Sequence, residues 1–153
     1  MAGATRNQGR DLTIQEMARR SGFSEPTLRY YEKIGLLGVV ERDESSGHRR
    51  YTPAIVERIE ALSCLRSAGM AVSGMRRYLE LLSRGDAAAV EQRELFASQA
   101  RKLAADIEQL RLRLTYLRRK ADLWDARVRG DLAAEQQAVE DVVRVMDQFM
   151  LKD

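Results

Sequence analysis

The chain has a single cysteine, Cys64, among 153 residues. No internal disulfide can form, and a reducing cytoplasm suits such a chain. One thiol is also too few for soft-metal sensing or an iron–sulfur cluster. There is one histidine and no glycine-rich phosphate loop. Little is left from which to build a catalytic dyad or a nucleotide site, so no enzyme activity, metal or cofactor is expected. No stretch approaches the roughly 18 uncharged apolar residues of a membrane span. No basic start followed by an apolar run marks a secretory leader. The polar opening, residues 1–10, reads as a flexible arm.

What is present is charge and helical periodicity. Hydrophobic residues make up 44% and charged residues 32%, a balance that suits a helix-rich soluble protein. Residues 1–85 carry 14 Lys/Arg against 10 Asp/Glu, and residues 86–153 carry 12 against 13. The basic excess lies in the first half, which points there to a polyanionic partner.

Thr13 and Glu16 have capping-box spacing, followed by the apolar face Ile14, Met17 and Ala18. Gly22 suits a left-handed helix end. Ser24 caps a second helix, with Pro26 in its first turn, running to Gly35. Two short helices across a glycine turn form a helix-turn-helix. Val39 and Val40 begin a strand-like run, "DESSG" is turn chemistry, and "HRRY" returns as a second strand, together a wing. Thr52 and Pro53 start a third helix ending near Gly69. Ser73 caps a fourth, with Met75, Tyr78, Leu79 and Leu82 on one face.

The second half differs in kind. Phe96, Ala100, Leu103, Ile107, Leu110, Leu114, Leu117, Ala121 and Trp124 repeat at alternating spacings of four and three. This is a heptad seam. A helix over residues 90–127 would be about 57 Å long. Its seam is expected to pair with a second copy of the chain, or to be covered by the C-terminal segment folding back. Residues 132–150 make one more amphipathic helix.

A helix-turn-helix puts the start of its second helix against base edges. Here that start holds Glu25, Thr27, Leu28 and Arg29, capped by Ser24. Arg29 suits a guanine edge or a phosphate, and the Tyr30 hydroxyl suits a phosphate. Tyr31 faces the core by spacing. Arg49 and Arg50 in the wing suit backbone or minor-groove contact.

"LTIQEMARRSGFSEPTLRYYEKIGLL", "GHRRYT" and "LSCLRSAGMAVSGMRRYLELL" together resemble the MerR family of bacterial transcription regulators, over about residues 11–125. The resemblance implies a mostly α fold. A winged helix-turn-helix domain would span residues 11–85, a dimerisation helix forming an antiparallel coiled coil residues 86–127, and a short helical segment residues 128–153. It implies a cytoplasmic, nucleoid-associated homodimer on a pseudo-palindromic promoter. Such a dimer distorts the DNA so that RNA polymerase can use it. Thr27, Arg29, Tyr30, Arg49, Arg50 and Tyr51 match the family's DNA-contacting motifs. Arg19 and Arg66 match phosphate contacts. The proline that usually follows "GLL" is absent from "GLLGVV".

Cys64 in "SCLRSAGM" resembles the branch that responds to aldehydes and other electrophiles. Ile55, Ile59 and Leu62 set the core stripe of its helix, and Cys64 falls roughly opposite, beside Ala61 and Ala68. Two readings stand: a thiol that senses an electrophile, or a small residue packed at a helix contact. With a packing role, the inducer would be a small organic ligand near the C-terminal helix.

Overall fold

A computed structural model describes residues 9–151. The first eight residues of the expected arm lie outside them. The chain divides into two compact units, one up to Leu95 and one from Phe96 onward.

The first unit opens with α1 (Ile14–Ser21) and α2 (Glu25–Lys33). The capping box forms as expected: Thr13 Oγ1 accepts from the Glu16 amide, and the Glu16 carboxylate accepts from the Thr13 amide. That amide hydrogen bond is the largest of the effects holding the Glu16 carboxyl below its ordinary pKa. Gly22, at φ +77°, ends α1 in the left-handed region, which costs a glycine little. Ser24 Oγ accepts from the Thr27 amide at 3.2 Å and starts α2.

The wing is a hairpin of two two-residue strands, β1 (Glu41–Arg42) and β2 (Arg49–Arg50). It starts later than the expected Val39–Val40 run. Gly38, at φ +76°, turns the chain there, Val39 is left exposed and Val40 enters the core. Leu12 and Tyr51 exchange backbone hydrogen bonds of 2.9 Å, which fasten the end of the wing to the segment entering α1.

Helices α3 (Pro53–Ser67) and α4 (Val72–Ser83) complete the layer. Two expected caps do not form. Thr52 stands at the start of α3 without a side-chain capping bond, and α4 begins at Val72, before Ser73, with Ala71 in the cap position. The buried face of α4 also shifts. Met75 and Leu81 are buried and Leu82 is exposed, because the last turn of α4 packs on the 3₁₀ turn Gly85–Ala88, where Ala88 is itself buried.

Met17, Leu28, Ile59, Leu62 and Met75 are fully enclosed in one core. Truncating either leucine to alanine should cost about 2–5 kcal/mol. Polar ties lock the helices: Ser63 Oγ donates to the Ser21 carbonyl at 2.6 Å, Arg76 donates to the Ile34 carbonyl at 2.9 Å, and Arg20 pairs with Glu60. The first turns of α5 (Ala89–Arg129) belong to this unit. Leu95 packs on its core, and Gln92 donates to the Tyr78 carbonyl at 3.1 Å.

The second unit is a helical hairpin. Helix α5, 41 residues long, ends at Gly130, and Asp131 caps α6 (Leu132–Met150). Leu123 and Ala126 of α5 and Ala138, Val142 and Val145 of α6 are buried. Tyr116 meets Phe149 edge-on at 5.6 Å, and Arg127 pairs with Glu135. The fold-back therefore occurs, but on a different face from the heptad seam. Phe96, Leu103, Ile107, Leu110, Leu114, Leu117 and Trp124 are 40–64% exposed, and Ala100 and Ala121 are exposed with them.

Candidate nucleic-acid interface

The Leu12–Tyr51 bridge sets the wing beside the start of α1, and α2 runs past both. Between them lies a hollow of about 250 Å³, lined by Thr13, Ile14, Gln15, Arg29, Arg42, Gly47, His48 and Arg49. Three guanidinium groups, an imidazole, a hydroxyl and an amide converge there, and no carboxylate lines it. Such a set suits a phosphate or the acceptor edge of a base.

The hairpin register explains how the arginines are arranged. Arg42 stands opposite Arg49, and Glu41 opposite Arg50. Like charges facing across a strand pair repel. Glu32, from the last turn of α2, offsets this: one carboxylate oxygen lies 2.5 Å from Arg49 Nε and the other 3.9 Å from Arg42 Nη2. At the wing tip, Asp43 Oδ1 accepts hydrogen bonds from the amides and hydroxyls of Ser45 and Ser46. These bonds, the Ser45 hydroxyl first, hold the Asp43 carboxyl far below its ordinary range. Its other oxygen lies 3.0 Å from Arg50, which also approaches Asp11.

Of the residues expected to touch DNA, Arg29 and Arg49 come together in the hollow. Arg29 is exposed and held 3.1 Å from Glu25. Ser24 and Thr27 share a hydroxyl hydrogen bond of 2.8 Å at the start of α2. Tyr30 is exposed, while Tyr31 is buried as its spacing predicts. Arg50, Arg19 and Arg66 are exposed but do not line the hollow; Arg19 reaches back to the Gln15 carbonyl.

Tyr51 is a correction. It is completely buried and its hydroxyl has no hydrogen-bond partner among the described residues, so it supports the interface from inside the core and cannot touch DNA from there. Burial, with the Glu32 charge second, pushes its phenol pKa up.

Glu32, Arg42 and His48 join this surface without having been expected there. Glu32 was within reach, since it stands three residues after Arg29 and so on the same side of α2. Arg42 needed the hairpin register. Cys64 is exposed on α3, next to the Ser63 that bonds the end of α1.

Comparison with known proteins gives one direction. The family model described as MerR HTH family regulatory protein matches residues 12–82. An uncharacterized HTH-type transcriptional regulator of Haemophilus influenzae is 35% identical over 108 residues, covering 71% of this chain and 79% of its own length. The HTH-type transcriptional regulator AdhR of Bacillus subtilis is 32% identical over 92 residues, 60% of this chain and 65% of its own. The fold is similar to the crystal structure of HiNmlR, a MerR family regulator lacking the sensor domain, bound to promoter DNA. That match has a TM-score of 0.65 and 32% identity, and covers 82% of this chain and 95% of the other.

Proposed function

The chain belongs to the MerR family of helix-turn-helix transcription regulators, and on that premise we propose that it binds promoter DNA as a homodimer and acts by distorting it. The observation that carries DNA binding is the convergence of Arg29, Arg42, His48 and Arg49 on one hollow free of lining carboxylates. Ser24, Thr27 and Tyr30 on α2, Arg50 in the wing, and Arg19 and Arg66 on α1 and α3 extend the contact. The similarity to a regulator solved on promoter DNA supports the same reading.

The dimer rests on the exposed seam of α5. A contiguous apolar stripe of this length is uncommon on a monomer's surface, and α6 leaves it open. Distortion of the promoter is read through the deformability of the DNA as much as through base edges, and it presents the promoter to RNA polymerase. Cys64 is the sensing residue in this reading, attacking an aldehyde or related electrophile. Its exposure supports this role by leaving the thiol open to a small electrophile.

The test of DNA binding is a titration of the full chain against its own promoter region and a scrambled duplex, by fluorescence anisotropy over a salt series. Four to six of the arginines named here, each neutralising one phosphate per copy, give a log–log slope of about −7 to −11 for a dimer. No binding to any duplex at low salt would overturn the reading.

A further inference from the structure

We infer that Glu32 is a specificity-determining positioning residue: it holds the two facing wing arginines on α2 and withholds their charge from arbitrary phosphates. The inference rests on the DNA-binding reading above and deepens it.

Four observations lead there. Arg42 and Arg49 are direct cross-strand partners, an arrangement that repels unless an anion stands between them. Glu32 is the anion that stands there, and it comes from the recognition helix rather than from the wing. The pair is partly buried: the side chains of Glu32 and Arg49 are 20% and 23% exposed. Finally, the contact uses Nε of Arg49. One edge of the guanidinium is fixed, and its terminal nitrogens remain as donors beside the hollow.

A guanidinium held by one edge presents the rest of its fork in a fixed direction. It makes its contact without first giving up side-chain freedom, a saving worth about two- to twelvefold in affinity for one long side chain. That saving exists only where the DNA places an acceptor at the fixed position. On arbitrary DNA the same clamp is a handicap, because Glu32 competes with phosphate for the arginine and adds a negative charge behind the surface. Glu32 thus favours the DNA shape that fits and penalises the rest, which is how specificity is built from both attraction and exclusion. It also ties the wing to the recognition helix, so that the two reading elements move as one.

The experiment compares the full-length wild type with Glu32→Gln, which keeps the shape and removes the charge. Each is titrated on the promoter region and on a scrambled duplex across a salt series. Glu32→Gln should bind the scrambled duplex more tightly, with the salt slope steeper by about 0.9 per copy. The promoter-to-scrambled ratio should fall by about two- to twelvefold. In an Arg49→Gln background the same substitution should lower the ratio little further, because the residue acts through Arg49. A purely structural role would instead weaken both duplexes together and would persist in that background. Unchanged ratio and slope in Glu32→Gln, or an equal drop in the Arg49→Gln background, would overturn the inference. If Glu32→Gln does not fold by circular dichroism, Glu32→Asp carries the test. It keeps the charge but shortens the reach, so the ratio should fall with the slope unchanged, and an unchanged ratio overturns the inference. A wild type that binds no duplex defeats the DNA-binding reading itself and is recognised before any variant is compared.

Discussion

Cys64 shows how much one residue's address can decide. It lies in the last turn of α3, exposed, with Ser63 bonded to the carbonyl that ends α1. A group added at Cys64 lies one residue from a tie between α3 and the helix-turn-helix, and in the proposed reading it acts there as a lever on how that unit is held. Cys64→Ser should bind the promoter region as the wild type does and lose most of its response to formaldehyde or a dicarbonyl. Transcription from that promoter in vitro, with and without the aldehyde, measures this. A retained response would move sensing to a small ligand near α6, where Glu108, Arg111, Leu112, Thr115, Val145 and Gln148 line an open groove of about 270 Å³. The residue scale is also where the sequence was least readable. Tyr51 sits in a motif of basic surface residues, yet its ring is buried in the core, beside a backbone bridge to Leu12, 39 positions away. The four bonds gathered by Asp43 were equally hidden inside what read only as turn chemistry.

At the scale of elements, periodicity was the dependable signal. It located α1, α2 and α6 closely and the length of α5 to within two residues at either end, because long helical faces and glycine stops are written locally. It failed where another element decides. The last turn of α4 follows the 3₁₀ turn and not its own stripe, and two-residue strands are too short for an alternation to declare itself. Helix α5 carries two stripes, and only the structure separates them. Leu112, Tyr116, Leu123 and Ala126 lie on the side covered by α6, and the heptad residues stay open. Charging each stripe should therefore have different effects. Leu110→Glu combined with Leu117→Glu should convert a two-copy species to a single copy in sedimentation equilibrium while leaving helical content nearly intact. Val142→Glu, placed in the α5–α6 contact, should instead lower the melting temperature, since a charge buried without a partner is costly. A double variant that still sediments as a dimer would show that the seam is not the interface.

At the scale of the whole molecule, the distribution of charge along the seam predicts the direction of pairing. Residues 110–120 carry Arg111, Arg113, Arg118, Arg119 and Lys120 and no carboxylate. A parallel, in-register pair would set this block against its own copy, and like charges so close are repulsive. The seam is nearly symmetric about Leu110, with Ala100 ten residues before it and Ala121 eleven after. An antiparallel pair centred there takes residues 111–120 off their own copy and sets them against the partner's residues 101–110, where Asp106 and Glu108 balance Arg101 and Lys102, with Arg113 opposite Glu108. It also brings Ala100 against the partner's Ala121. Single cysteines in a Cys64→Ser background can read this directly, because a disulfide needs Cα atoms within about 4.4–6.8 Å. Ala100→Cys alone should not cross-link under mild oxidation, since its own copies would lie about 30 Å apart along the coil at 1.5 Å per residue. A mixture of Ala100→Cys and Ala121→Cys chains should yield one cross-linked heterodimer on a non-reducing gel. Cross-linking of Ala100→Cys with itself would mean that the helices run parallel, and that the apolar seam outweighs the repulsion of its cationic flanks.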